Sequence, residues 1–158
     1  MEKNLIILRG MPSSGKSTVA KLFTINSNIC TADDYHYVND IYQYKPENAS
    51  MAHFLCQMKC KYLMKNDIDK IVIANTNVSD YEIEPYVNLA NEFNYKIHIL
   101  IVENRHQSSN DHNVPLDIIF KMYVKFKIKL LSDDIYKKIH KKFKFKFLWI
   151  KIKNLFRL

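Results

Sequence analysis

The chain has 158 residues, of which 47% are hydrophobic, and this length predicts one domain with its own hydrophobic core rather than two. Its apolar runs are too short for a membrane-spanning helix and its first residues lack a signal-peptide pattern, so we expect a cytoplasmic protein with no transmembrane segment. The net charge is +8, and the three cysteines, Cys30, Cys56 and Cys60, lack the paired spacing of a zinc site and are interpreted as reduced thiols.

The first predicted elements are a short strand, a glycine-containing loop and a helix. Residues 5–8 form an unbroken apolar run of strand length, and residues 17–23 have the composition of a helix. Between them, residues 10–17 read GMPSSGKS, a full match to the Walker A pattern G-x-x-x-x-G-K-[ST]. Both glycines of the chain lie in this segment. The strand before it and the helix after it are the context in which this motif binds nucleotide phosphates.

The chemistry of the motif predicts ATP and Mg²⁺ as cofactors. Glycines let the loop curl so that backbone N–H groups point at phosphate oxygens, and the first turn of the helix adds further N–H donors. We expect Lys16 to place a cation on the β and γ phosphates and the Ser17 hydroxyl to ligate Mg²⁺. The residues expected to bind the nucleotide are Gly10, Met11, Pro12, Ser13, Ser14, Gly15, Lys16, Ser17 and Thr18.

Three further apolar runs are predicted to be strands. Residues 28–31 form a weak one, residues 71–74 a clear one, and residues 97–102 the strongest after the first. None of the strong runs alternates with period two, which is typical of strands buried on both faces of a parallel sheet. The sequence therefore predicts an α/β fold, the three-layer sandwich of P-loop NTPases, with a short, mostly parallel sheet flanked by helices.

Three more helices are predicted from helical spacing. One runs from about residue 47 to 65, a second begins near Glu84 because Pro85 is tolerated only in a first turn, and a third opens at Pro115 and runs to about Leu131. The apolar stripes of the first two are interpreted as core. Those stripes are Met51, Phe54, Leu55, Met58 and Tyr62, and Ile83, Tyr86, Ala90 and Phe93.

Polar residues follow two of the strands. Asp33 and Asp34 come after the second strand, and residues 75–77, Asn-Thr-Asn, come after the third. Ligands of open parallel sheets bind at the carboxyl ends of the strands, so these residues are expected beside the P-loop. One aspartate could accept the proton of a hydroxyl acceptor, or the pair could be a helix cap or a solvated loop. Asn75 stands where a Walker B acid is usual, so Mg²⁺ would depend more on Ser17, water and nucleotide.

These segments, taken together, resemble a known family. The resemblance rests on Leu8-Arg9-Gly10 through Ser17, on Ala32-Asp33-Asp34-Tyr35, on Tyr42-Gln43-Tyr44 with Ala52-His53, on Asn75-Thr76-Asn77, and on His112-Asn113-Val114-Pro115. Over about residues 3 to 131 the chain is similar to the P-loop polynucleotide 5′-hydroxyl kinases, which include the kinase half of phage-type polynucleotide kinase and small ATPase-like relatives.

The resemblance implies an acceptor and roles for particular residues. The acceptor would be the 5′-hydroxyl of RNA or DNA, Asp33 the general base, and Arg105 the lid arginine that clamps the transferring phosphate beside Lys16. His36 stands where the phage-type enzyme has an arginine for the nucleic-acid phosphate. The residues expected near the substrate are Asp34, His36, Asn75, Thr76 and Asn77.

Two other functions are compatible with the sequence. The same apparatus could phosphorylate a nucleoside or another small alcohol. Alternatively, the chain could be a nucleotide-dependent binding module with little transfer activity, which the missing Walker B acid favours. The sequence does not predict the oligomeric state.

The last 27 residues differ from the rest. Residues 132–158 carry +7 of the net charge of +8, which suggests a division into a P-loop kinase domain, 1–131, and a basic aromatic extension, 132–158. A short helix is expected from Ser132, and then aromatic residues at 143, 145, 147 and 149 alternate with lysines. This pattern is typical of single-stranded nucleic-acid binding, of an anionic membrane surface, and of an added edge strand.

Overall fold

The computed structural model describes residues 2–105, 114–126 and 128 of the chain. The chain divides into two units, Met1–Phe126 and Lys127–Leu158, and the helices and strands of the described residues all belong to the first. The predicted tail helix, the aromatic and lysine alternation and the predicted boundary at residue 131 lie outside the described residues and stay predictions. No helix within the described ranges is long and apolar enough to cross a membrane.

The first unit alternates strands and helices along the chain. In order, the elements are β1 (Asn4–Arg9), α1 (Lys16–Phe23), β2 (Ile29–Cys30), β3 (Tyr37–Val38), β4 (Ile41–Tyr42), α2 (Ala49–Lys65), β5 (Lys70–Ile73), α3 (Asp80–Glu92), β6 (Lys96–Ile101) and α4 (Leu116–Lys125). A 3₁₀ turn, Ala32–His36, joins β2 to β3.

Four of the strands form one parallel sheet, in the order β2-β5-β1-β6. Strand β1 is paired on both sides, and its Leu5 lies opposite Ile71 of β5 and opposite Ile97 of β6. The prediction of an α/β sandwich with a parallel sheet is confirmed. The antiparallel pair β3–β4 was not predicted, because each strand has only two residues and no hydrophobic period.

Two hydrophobic clusters lie on opposite faces of the sheet. Successive side chains of a strand point to opposite faces, so Leu5 and Ile7 belong to one cluster and Ile6 and Leu8 to the other. The first cluster includes Ala52, Cys56 and Cys60 of α2 and Ile83, Tyr86 and Ala90 of α3. The second includes Ala20 of α1. This arrangement gives the expected three layers of helix, sheet and helix.

The prediction that the large stripe of α2 belongs to the core is wrong. Met51, Phe54, Leu55, Met58 and Tyr62 are exposed, and the helix instead packs on the sheet through Ala52, Cys56 and Cys60, with Leu63 and Met64 at its end. Both sets recur at helical spacing, so periodicity alone does not separate them. Small residues face the sheet because they let the helix backbone come close to it.

Strand β6 is also less buried than its apolar sequence predicts. Ile99, Leu100 and Ile101 are exposed, although a strand buried on both faces was expected. Among the described residues β6 is an edge strand paired only with β1, so helices do not cover it completely.

Two helix boundaries differ from prediction. Helix α3 begins at Asp80, before Pro85, because Glu82 accepts hydrogen bonds from the Ser79 hydroxyl at 3.0 Å and from Val78 N–H at 3.1 Å. Proline in the second turn then removes one backbone hydrogen bond and does not prevent the start. Helix α4 ends at Lys125 rather than near residue 131, because Phe126 has extended backbone angles.

Candidate active site

One large cavity lies at the carboxyl ends of the parallel strands. Its volume is about 1240 Å³, above the usual range of about 300–1000 Å³ for small-molecule sites. Residues 12–19 of the P-loop and α1 line it, as do Asp33, residues 74–76 after β5, and Pro115 at the start of α4. The P-loop, the turn that carries Asp33, the residues after β5 and the start of α4 therefore surround one space that is large enough for more than one ligand.

The P-loop is curled tightly against its neighbours. A Cβ atom at Gly10 would lie 2.5 Å from both Ser14 Oγ and the Val102 carbonyl oxygen, so only glycine fits there. Ser13 and Gly15 both have left-handed backbone angles, with φ of 58° and 88°. The buried Ser14 hydroxyl has no hydrogen-bond partner within the described residues. Such a loop, with an unsatisfied hydroxyl, fits the polar oxygens of a phosphate group.

Lys16 folds back onto the loop that it follows. Its Nζ donates to the carbonyl oxygens of Gly10 at 3.1 Å and Met11 at 2.8 Å, and the residue is only 8% exposed. Burial lowers its pKa to about 8, and the nearby charge of Asp33 partly opposes this shift. Lys16 is the one lysine or arginine among the described residues that line the cavity.

Asp33 occupies the cavity wall, whereas Asp34 does not. Asp33 lies in the 3₁₀ turn, whose start is capped by a hydrogen bond from Asp33 N–H to the Thr31 hydroxyl at 3.3 Å. The Tyr42 hydroxyl donates to Asp33 Oδ1 at 3.3 Å, and burial together with the Asp33 charge raises the pKa of Tyr42. Asp34 instead pairs with Lys59 of α2 at 3.2 Å. The two aspartates therefore have different environments.

Asn75 lines the cavity, but its side chain is already occupied by the protein. Its Oδ1 accepts the N–H of Ala32 at 2.8 Å, and its Nδ2 donates to Tyr86 Oη at 3.3 Å and Cys56 Sγ at 3.4 Å. Tyr86 in turn donates to Cys56 Sγ at 3.2 Å. Burial raises the pKa of the Cys56 thiol to about 11, which keeps it a neutral partner in this network. These contacts give Asn75 a structural task.

The other two residues after β5 have separate positions. Thr76 lines the cavity, and its carbonyl oxygen accepts the Gly10 N–H at 3.0 Å. Asn77 lies outside the cavity lining, buried with left-handed φ of 48°, and its side chain donates to Leu8 O at 2.8 Å. Arg9 Nε in turn donates to the backbone carbonyl oxygen of Asn77 at 2.7 Å. Asn77 thus braces the strand that leads into the P-loop.

Arg105, predicted to be a lid arginine, does not line the cavity. It is exposed and pairs with Glu103, whereas Glu103 itself contributes to the cavity wall. Residues 106–113, which include His112 of the resemblance, lie outside the described residues. Val114 and Pro115, which follow them, line the cavity.

An aromatic group that the residue chemistry did not single out lies beside Asp33. Tyr42 and Tyr44 line the cavity together with His36, whose ring is 5% exposed and packs against both tyrosines. The spacing of these residues in the hairpin gives no period that would have revealed the cluster. His36, predicted to lie near the substrate, lines the cavity as part of this aromatic group.

The site offers few ligands for a metal ion. No group of three or more histidine, cysteine, aspartate or glutamate side chains within the described ranges could hold one. The exposed Ser17 hydroxyl and the Asp33 carboxylate both face the cavity, which is compatible with Mg²⁺ that is bound mainly by nucleotide and water.

The chain is similar to known proteins in sequence and in fold. Residues 5–114 match the family described as the AAA domain. Human NEDD4-binding protein 2 is 36% identical over 96 residues, which cover 59% of this chain and 5% of that protein. The solved structure of a candidate kinase from Chloroflexus aurantiacus superposes with a TM-score of 0.53 at 14% identity, covering 65% of this chain and 59% of that one.

The family match spans most of the chain, and it contains the Walker A loop, Asp33 and the residues after β5. The fold is that of P-loop kinases, and the Walker A loop is a motif that binds nucleotide phosphates. The chain therefore belongs to the AAA domain family, as a P-loop kinase-like member.

Proposed function

We propose that the chain is an ATP-dependent kinase that transfers the γ-phosphate of ATP to the 5′-hydroxyl of RNA or DNA. The observation that carries this proposal is that Lys16 and Asp33 line the same cavity, where the Asp33 charge partly opposes the burial that lowers the Lys16 pKa. A phosphate-binding cation and a carboxylate that faces the same space are the two groups that transfer to a hydroxyl requires.

The side chains divide the work of the reaction. The P-loop backbone and Lys16 bind the β and γ phosphates, and Ser17 would hold Mg²⁺, which would neutralise charge on those phosphates. Asp33 accepts the proton of the acceptor hydroxyl as that oxygen forms its bond to the γ-phosphorus. The bond from the γ-phosphorus to the β–γ bridging oxygen breaks, and ADP leaves. Tyr42 orients Asp33 through its hydrogen bond of 3.3 Å.

A nucleic-acid acceptor is favoured by the resemblance carried by the Asp33, Tyr42 and Asn75 segments, and by a cavity that extends past the P-loop to Tyr44 and His53. A nucleoside or another small alcohol is the second candidate. It is favoured by the charge of the cavity wall, in which Lys16 is the one described lysine or arginine and no second cation is placed for an acceptor phosphate.

The test is transfer of label from γ-³²P-ATP to a panel of acceptors. The panel contains 5′-hydroxyl RNA and DNA oligonucleotides, nucleosides and buffer alone. We expect labelled oligonucleotides with the wild-type protein and no transfer with Lys16→Ala, while Lys21→Ala, an exposed position on the same helix, keeps full activity. Label on nucleosides alone would favour the second candidate. ATP binding with no transfer to any acceptor would favour a nucleotide-dependent binding module.

A further inference from the structure

Three aromatic rings form a continuous group beside Asp33 in the cavity wall. The His36 ring lies 5.0 Å from the Tyr44 ring and 6.1 Å from the Tyr42 ring, measured between centroids, and Tyr37 packs on Tyr42 at 5.4 Å. We name His36, Tyr42 and Tyr44 the aromatic cluster. The rings are tilted or edge-on to one another, and their distances are typical of aromatic pairs that stabilise one another.

The aromatic cluster is joined directly to Asp33. The Tyr42 hydroxyl donates to Asp33 Oδ1, so the contacts run from the carboxylate through Tyr42 to His36 and Tyr44. A hydroxyl presented to Asp33 would therefore have aromatic rings next to it. Whatever group is attached close to that hydroxyl lies within reach of the cluster.

Burial differs across the cluster in a way that leaves one ring available. His36 is 5% exposed and its Nδ1 has no partner within the described residues, whereas Tyr44 is 55% exposed and lines the cavity. His36 thus lies beneath Tyr44 as packing, and Tyr44 keeps an open surface. An exposed tyrosine held over a buried ring is a suitable platform for a planar ligand.

The charge of the cavity wall also favours a planar ligand at this position. The part of the cavity wall that the structure describes contains one lysine or arginine, Lys16, and it belongs to the P-loop. His36, which stands where the phage-type enzyme has an arginine, is packed between tyrosines and has almost no exposed surface to offer to a phosphate. The described side chains at this end therefore favour flat apolar contact over ion pairs.

We propose that the aromatic cluster stacks the nucleobase adjacent to the reacting 5′-hydroxyl, with Tyr44 as the contacting ring. The unit recognised is then the terminal nucleoside of the acceptor. This inference rests on the proposed function for the direction of transfer, and it adds which part of the acceptor is bound and by which residue.

The transfer experiment compares two acceptors that differ in one base. One is a 5′-hydroxyl oligonucleotide with adenine at its first position, and the other has an abasic residue there. Base stacking on an aromatic side chain corresponds to about a 5- to 150-fold change in binding, so we expect kcat/KM to fall by that factor for the abasic acceptor.

Variants assign the effect to Tyr44. Tyr44→Ala should reduce the ratio of kcat/KM between the adenine and abasic acceptors to about one, and Tyr44→Phe should restore this ratio. Tyr62→Ala is the matched control, because Tyr62 is 65% exposed on α2 and does not line the cavity. Equal wild-type activity on both acceptors, or an equal loss on both with Tyr44→Ala, would overturn the proposal.

A binding measurement separates this inference from the kinase activity itself. An oligonucleotide with 2-aminopurine at its first position should lose fluorescence on binding to the full chain, and the loss should disappear with Tyr44→Ala but not with Tyr62→Ala. Quenching without transfer to any acceptor would support the stacking site and refute the kinase. Transfer without quenching would support the kinase and refute the stacking site.

Discussion

Asn75 accepts the backbone N–H of Ala32 through its side-chain oxygen at 2.8 Å. This hydrogen bond joins the end of β5 to the residue directly before Asp33. The amide group of Asn75 is fixed from the other side by Tyr86 and Cys56. A buried network from α2 and α3 therefore ends at the turn that carries the proposed base, which gives asparagine a role at a position where an acid is usual.

The first prediction is that Asn75→Ala lowers both turnover and stability. The change leaves the buried Ala32 N–H without a partner, which costs about 1–3 kcal/mol of unfolding free energy, and it frees the turn that positions Asp33. Turnover should fall while ATP affinity stays nearly the same, because the P-loop keeps its own contacts. Urea unfolding, nucleotide titration and initial rates measure the three quantities.

Asn91→Ala is the control, since Asn91 is exposed on α3. Asn75→Asp tests the competing role of a magnesium ligand. A positioning role predicts a loss of stability, because a carboxylate would be buried against the Cys56 sulfur and the Tyr86 hydroxyl. Higher activity with unchanged stability in Asn75→Asp would instead make this position a metal site.

The P-loop could be predicted from sequence because its chemistry is local. Glycine is required at Gly10 by its close approach to Ser14 of the same motif, as well as to the Val102 carbonyl oxygen, and the strand and helix around the motif are continuous in sequence. The role of Asn75 could not be predicted, because its partners Ala32, Cys56 and Tyr86 lie 43, 19 and 11 residues away. Only the folded sheet and helices bring these groups together.

Helix α2 shows the limit of hydrophobic periodicity. Met51 and Phe54 are large and apolar, so their spacing predicts a buried stripe, yet the buried side consists of Ala52, Cys56 and Cys60. Small side chains face the sheet along most of the helix, and a periodic count does not record residue size. Local pattern was equally insufficient to assign different roles to Asp33 and Asp34, and in the sequence only a family resemblance distinguished them. In the structure they differ in their partners, which are Tyr42 for Asp33 and Lys59 for Asp34.

The second prediction concerns these two aspartates. Asp33→Asn should lower turnover by about 10²- to 10⁴-fold, the usual contribution of a positioned acid or base, and leave ATP affinity nearly intact. Asp34→Asn should have a much smaller effect, because Asp34 lies outside the cavity lining and forms a partly exposed ion pair with Lys59. Single-turnover rates with saturating ATP measure both. A larger effect at Asp34 would assign the base to the neighbouring residue.

The third prediction concerns the basic extension, residues 132–158, which carries +7 of the net charge. If it binds polynucleotide phosphates, a chain that ends at Leu131 should keep its activity on a mononucleotide acceptor and bind long single strands more weakly. Each phosphate contact on a single strand adds about 0.7 to the slope of log affinity against log salt, so loss of four contacts flattens the slope by about three. Oligonucleotide titrations at several salt concentrations give this slope.

Two other results of that truncation have different meanings. An unchanged salt slope in a folded truncated protein would remove nucleic acid as the partner of the extension, and binding to anionic vesicles would be measured next. Lower stability and solubility with every acceptor alike would favour an edge strand.

The fourth prediction is that ATP affinity falls as pH rises through the lysine pKa. In the free protein, burial lowers the pKa of Lys16 to about 8, so above that pH the lysine must take up a proton before it can pair with phosphate. Bound phosphates favour the charged lysine, and affinity should therefore decrease about tenfold for each pH unit above 8.

Titration with a fluorescent ATP analogue at pH 7, 8, 9 and 10 measures this dependence. Lys16→Ala should bind more weakly at pH 7 and lose the decrease at higher pH, because it has no proton to take up at this position. Lys21→Ala should behave as the wild type, since Lys21 is exposed and lies outside the cavity lining. A wild-type affinity that is flat or rises between pH 8 and 10 would mean that the neutral lysine suffices for binding. The phosphates would then be held by the backbone N–H groups of the loop rather than by the charge of Lys16.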